Sequence, residues 1–217
     1  MYTALRRQNQ TGAPVLSPLF FNYPGDANTY AIDLQFFYGD GILVSPVTEE
    51  NSTTVRYYLP DDIFYEWGTG KPIRGKSEYV VAEVDETDIT LHYKGGIIYP
   101  QRIESANTTA SLRKKGFNLV VAPGLDGFAE GSLYLDDGES FVQRAVSEIV
   151  FKYADGIFSM CGTFDYDAGV AIETITFLGV QTEPKNVNGA EYDAENSRLV
   201  VHVHVPLTRQ FEMSIQC

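Results

Sequence analysis

The sequence predicts a mainly β protein that opens with a short α/β segment. Turn-forming clusters recur along most of its length: Pro60-Asp61-Asp62, Gly68-Thr69-Gly70, Gly95-Gly96, Pro123-Gly124, Asp136-Asp137-Gly138, Asp155-Gly156 and Asn188-Gly189. Between them lie short apolar or alternating runs rich in β-branched and aromatic residues, which is strand composition. Beyond residue 40 no helical periodicity runs long enough to interrupt the series, so this part reads as β-sandwich material.

In chain order, residues 1–10 carry Met1, Tyr2 and Leu5 with few breakers and precede Gly12 and Pro14, which predicts the last turns of a helix. Pro14 to Phe21 (PVLSPLFF) is a continuous apolar run, as expected of a strand covered on both faces in a parallel sheet. Asp26 or Asn28 then caps a predicted helix running to Tyr38, with Ile32, Gln35 and Phe36 on one face. Strands are predicted at Ile42–Val47, Thr54–Leu59, Phe117–Ala122, Gly131–Leu135, Glu148–Tyr153, Ala171–Leu178 and Leu199–Val205. The polar stretch Arg102–Thr109 marks a seam, giving a division into residues 1–40, 41–104 and 105–217.

Composition bounds the function. The 217 residues are 44% hydrophobic and 21% charged, enough for a core without staples. The net charge is −13, from 16 Lys+Arg against 29 Asp+Glu, which argues against nucleic acid and against an anionic membrane surface. No run approaches the about 20 apolar residues of a membrane span. MYTALRRQNQTG is not a signal peptide, because two arginines interrupt it before any apolar stretch. Yet three sequons, at Asn9, Asn51 and Asn107, hint at a secretory history and hence an extracellular location. Cys161 and Cys217 are the only cysteines, and whether they pair is open at this point.

Candidate chemistry is thin. There is no Gly-x-Ser-x-Gly elbow, and Gly68-Thr69-Gly70-Lys71 is followed by Pro72 where a phosphate loop needs Ser or Thr. His202 and His204 share one strand face, a spacing zinc can use, but Val201, Val203 and Val205 explain the alternation by burial, so no metal and no cofactor is expected. Glycosidases work with two carboxylates about 5–9 Å apart. Asp136-Asp137 and Asp61-Asp62 sit in tight turns, where adjacent side chains diverge, so both pairs read as solvated turns. Trp67, with Phe64 and Tyr65, is a candidate for stacking on a sugar ring, against the plainer reading of core aromatics.

Several strings taken together resemble glycoside hydrolase family 31. GAPVLSPLFFNYP (12–24), DANTYAID (26–33) and QFFYGD (35–40) look like the last strand and following helix of that family's (β/α)8 barrel. ILVSPV (42–47), YLP (58–60), FYEWGTG (64–70) and GGIIYP (95–100) resemble its proximal C-terminal β domain, and GSLYLDDG (131–138) its distal one. The closest likeness is to secreted fungal α-glucosidases of the maltase type. The resemblance implies C-terminal β-sandwich domains preceded by the end of the barrel, with 1–40 as barrel, 41–104 as proximal domain and 105–217 as distal domain. It implies a retaining hydrolase acting through two aspartates, whose Trp-x-Asp-Met-type and Gly-Asp-Asn-type segments lie upstream of the eighth strand.

Neither segment occurs here, so no catalytic residue is carried over. Many members have arginine at the position of Ser17, a departure within that strand. On this resemblance Met1 is an internal residue of a longer enzyme. The partner is an upstream chain or subunit holding the rest of the barrel, and α-glucoside substrate is met through that partner. Cys161 and Cys217, each closing a strand-like segment of the implied distal domain, become candidates for a disulfide. Two other readings stand beside this one: an autonomous carbohydrate-binding module built on Trp67, and a self-contained enzyme working at the histidine pair.

Overall fold

The computed structural model describes residues 1–85, 87–185, 187 and 189–215. By contacts the chain divides between Gly95 and Gly96, with Tyr2 grouped in the second unit. As expected, it is built mainly of strands.

In the first unit, α1 (Tyr2–Thr11) ends at Gly12, whose φ of 78° and N–H on the Gln8 carbonyl form the left-handed cap the sequence predicts. The run 14–21 is not one buried strand. Only β1 (Leu16–Ser17) pairs as a strand, and it lies antiparallel in its sheet. Pro18, lacking an N–H for the ladder, stops it and opens the single helical turn α2 (Leu19–Asn22). The helix expected to reach Tyr38 is also shorter: Asp26 accepts the Asn28 N–H at 3.1 Å and caps a 3-10 turn, Ala27–Ala31. Phe36–Tyr38 is strand β2, which buries Phe37 completely. Three successive aromatics suit a pleated surface better than a helix once a neighbouring strand is there to pair with.

That neighbour is β3 (Ile42–Ser45), followed by β4 (Thr54–Leu59), β5 (Ile63–Glu66), β6 (Pro72–Arg74), β7 (Glu78–Glu83) and β8 (Thr90–Lys94). The sheet runs β1-β2-β3-β8-β5-β6, and β4 and β7 form a separate ribbon. Leu19, Phe37, Leu43, Tyr58, Leu59 and Phe64 make its core. Buried Gln35 joins β3 to β4: its amide nitrogen donates to Ser45 Oγ (2.9 Å) and the Tyr58 carbonyl (3.2 Å), and its oxygen accepts the Tyr58 N–H (2.6 Å). A polar group so deep is tolerated because each end is satisfied.

The second unit holds β9 (Ile97–Arg102), α3 (Thr109–Leu112), β10 (Phe117–Ala122), β11 (Ala129–Leu135), β12 (Ser147–Ala154) and β13 (Ile157–Phe164). It continues with β14 (Ala171–Leu178), β15 (Glu191–Asp193), β16 (Arg198–Pro206) and β17 (Phe211–Ser214), all in one sheet ordered β15-β16-β14-β10-β9-β11-β12-β13-β17. Rings from distant strands meet: Phe158 of β13 and Tyr153 of β12 lie 6.3 and 5.3 Å from Phe177 of β14. Three strands separate β14 from β12 in the sheet order, so the sheet folds over itself as a sandwich around one core. Strand β9, which falls within residues 41–104, pairs along its length with β10. Residues 36–38 share a sheet with β3 and β8 across the division at residue 40.

Candidate functional site

Trp67 opens the turn between β5 and β6. Its N–H donates to the Leu91 carbonyl at 3.1 Å, and its ring stacks on Tyr93 with centroids 4.6 Å apart and planes 25° from parallel. The Glu66 carbonyl accepts the Gly70 N–H at 2.9 Å and closes the turn. A half-buried ring with one face against Tyr93 is built into the unit, which leaves little of a sugar platform.

His202 and His204 project from one face of β16, both exposed, but each meets a different carboxylate. His202 Nε2 is 3.2 Å from Glu191 Oε1, and His204 Nδ1 is 3.1 Å from Glu173 Oε2. Among the described residues no three His, Cys, Asp or Glu side chains converge as a metal site. Beside His204 lies an open groove of about 420 Å³ bordered by Lys114, Asp167, Glu173 and Thr208.

The acidic pairs prove unlike each other. Asp137 is an exposed turn residue, as expected. Its carboxylate accepts the N–H groups of Glu139 and Ser140 (both 2.9 Å), the Ser140 hydroxyl (2.5 Å) and Gln143 Nε2 (3.1 Å). The hydroxyl bond foremost, then the amide bonds, hold its pKa far below the usual carboxylate range. Asp136 is not solvated: it is 4% exposed. Burial raises its pKa, but hydrogen bonds from Arg113 (2.8 Å), the Tyr2 hydroxyl (2.8 Å) and the Gly138 N–H (2.9 Å) outweigh that and leave it lowered. A glycosidase general acid needs a carboxyl whose pKa is raised so that it keeps its proton. The bonds to both of these favour the anion, the opposite of that requirement. Asp61 pairs with Arg74, and Asp62 accepts from the Tyr23 hydroxyl at 2.8 Å and from its neighbour's N–H, Ile63, at 2.8 Å.

The three sequon asparagines are exposed. Asn9 lies on α1, Asn51 in a turn with φ 56°, and Asn107 just before Thr108, whose hydroxyl caps α3. Cys161 is half-buried on β13, and Cys217 lies outside the described residues, as does Asn188 of the last turn cluster.

Sequence reasoning passed over two groups. His92 on β8 is 2% exposed, and burial, opposed by the nearby Glu66 charge, pushes its pKa down from 6.5 to about 4. Among the described residues its Nδ1 finds no hydrogen-bond partner, and its ring faces Tyr57 at 5.1 Å. Arg113, the counter-ion of Asp136, follows α3 in a segment with no apolar period, so only the folded chain reveals it.

Residues 12–99 match the Glycosyl hydrolase family 31 C-terminal domain. A "Probable alpha/beta-glucosidase" of Arthroderma benhamiae is 49% identical over 224 residues, covering 99% of this chain and 26% of that protein. "Glucoamylase 1" of Schwanniomyces occidentalis is 36% identical over 193 residues, covering 86% of this chain and 20% of that protein. The solved glucosidase II alpha subunit in its alpha3-Glc2-bound form superposes with a TM-score of 0.87 at 26% identity, over 99% of this chain and 27% of that one. The chain therefore spans about a quarter of the length of the alpha/beta-glucosidase relatives it matches.

Proposed function

The chain belongs to glycosyl hydrolase family 31, and from that premise we propose that it is the C-terminal, non-catalytic portion of a retaining α-glucosidase. The enzyme would release glucose from the non-reducing ends of α-glucosides such as maltose and maltooligosaccharides. The observation that carries the reading is the coverage: 99% of this chain aligns at 49% identity with only 26% of a glucosidase relative. The catalytic aspartates would lie in the upstream region, as chain or separate subunit, and substrate would be met there. The role of residues 1–40 would be to complete the barrel, where an open strand edge is an aggregation liability. The β units would cover barrel surface and carry glycan on Asn9, Asn51 or Asn107, in an extracellular enzyme.

The test compares glucose release from maltose by the purified 217-residue chain with release by the same chain co-expressed with the upstream region. Turnover is expected only from the second. Hydrolysis by the lone chain would refute the non-catalytic assignment. Mass spectrometry of the protein from a eukaryotic secretory host should find hexose on at least one of the three asparagines, and bare asparagines at all three would remove the support for secretion.

A further inference from the structure

Phe141 and Val142 are the most exposed large apolar side chains among the described residues, at 107% and 82%. They stand at the tip of the loop between β11 and β12. Solitary exposed apolar residues are ordinary on protein surfaces, but a fully hydrated phenylalanine beside a valine is an anchor without a socket.

The loop beneath them is organised. Asp137 gathers the backbone of Glu139 and Ser140 together with the side chains of Ser140 and Gln143, and Gln143 Nε2 also donates to the Ser140 carbonyl at 2.8 Å. At the loop's root the Asp136 carboxylate accepts from the Gly138 N–H and from Arg113. A loop already ordered by such bonds loses little conformational freedom on docking, which is what a recognition element needs.

A second copy of this chain is a poor occupant, because two bodies each carrying −13 repel. Relatives sharing this chain at 48–49% identity carry about three quarters of their length outside it, and Tyr2, near the start of the chain, donates its hydroxyl to Asp136 at the loop's root at 2.8 Å, so polypeptide joined ahead of residue 1 would pass close to this loop. We infer that Phe141 and Val142 dock into an apolar pocket on the upstream region of the same glucosidase and clamp the second β unit to it. This inference rests on the functional reading above.

Hydroxyl-radical footprinting of the whole enzyme tests it, with a synthetic peptide of residues 136–146 as the unprotected reference. Phe141 should be oxidised at least about tenfold more slowly in the enzyme than in the peptide, the protection expected of a buried interface anchor. The protection should be independent of protein concentration. Oxidation at the peptide's rate would overturn the inference, and concentration-dependent protection would too, by pointing to a second copy. In the same enzyme Phe141→Ser should raise amide exchange over residues 139–143 about tenfold or more, and an unchanged rate would count against docking. Maltose hydrolysis separates the two questions. An active enzyme with an unprotected Phe141 sinks only the docking, whereas an intact enzyme without hydrolysis sinks the functional reading.

Discussion

Acidifying the 217-residue chain from pH 7 to pH 4 should destabilise its first unit, and His92 sets the scale. In the folded chain the imidazole is buried on β8 between Tyr57 and the pairing strands, and burial lowers its pKa from 6.5 to about 4. Above pH 6.5 it is neutral in both folded and unfolded chains, and the stability it contributes is fully present. Between 6.5 and 4 the unfolded chain takes up a proton that the folded chain refuses, so stability falls as pH falls. Below about 4 the folded state is protonated as well and no more is lost. The difference of 6.5 and 4 corresponds to about 3 kcal/mol at 1.36 kcal/mol per pH unit. With a urea slope of about 1–2 kcal/mol/M, the midpoint should drop by roughly 1.5–3 M across that range.

Trp67, the single tryptophan, reports on this unit alone, because it stacks on Tyr93 next to His92 in the same strand. Urea titrations followed by its fluorescence at pH 7, 5.5 and 4 therefore read the right part of the molecule. His92→Leu should be at least as stable at pH 7, since it removes a buried Nδ1 without a partner. It should also flatten the dependence between 6.5 and 4. A variant that keeps the wild-type slope would refute the assignment of that slope to His92.

Two further predictions concern the second unit. Gly131 on β11 faces β9 so closely that a Cβ would meet the Ile98 carbonyl oxygen at 2.1 Å. Gly131→Ala should force the strands apart and destabilise the unit by about 2 kcal/mol or more, measured as a fall in near-ultraviolet circular dichroism midpoint. Asp136→Asn leaves Arg113 without its counter-ion and should lower stability by about 2–3 kcal/mol at pH 7. The lowered Asp136 pKa places its own pH dependence below 3.8, where stability is lost as pH falls, so an effect confined to pH 4–6.5 would contradict it.

The strands Thr54–Leu59, Phe117–Ala122 and Ala171–Leu178 were readable in the sequence to the residue, because an apolar or alternating run lay between turn signals at both ends. Glu78–Glu83 and Phe211–Ser214 gave no such mark. They are edge strands that bury no residue fully, so no core-facing apolar run marks them. Residues 14–21 failed for a local reason, Pro18 in the middle of the apolar run. Residues 30–38 failed for a tertiary one, since Phe36-Phe37-Tyr38 fits either period until Ile42–Ser45 offers a partner. The same division separates the two aspartates at 136 and 137. Asp137 binds only residues within six positions of it, and a turn reading of the string DDGES places it correctly. Asp136 is decided by Arg113, 23 residues earlier in a loop, and nothing local announces that. Both partner sets stabilise the anion, and both tie the pair to the loop that carries Phe141: Asp137 to Glu139, Ser140 and Gln143, Asp136 to Gly138 and Arg113.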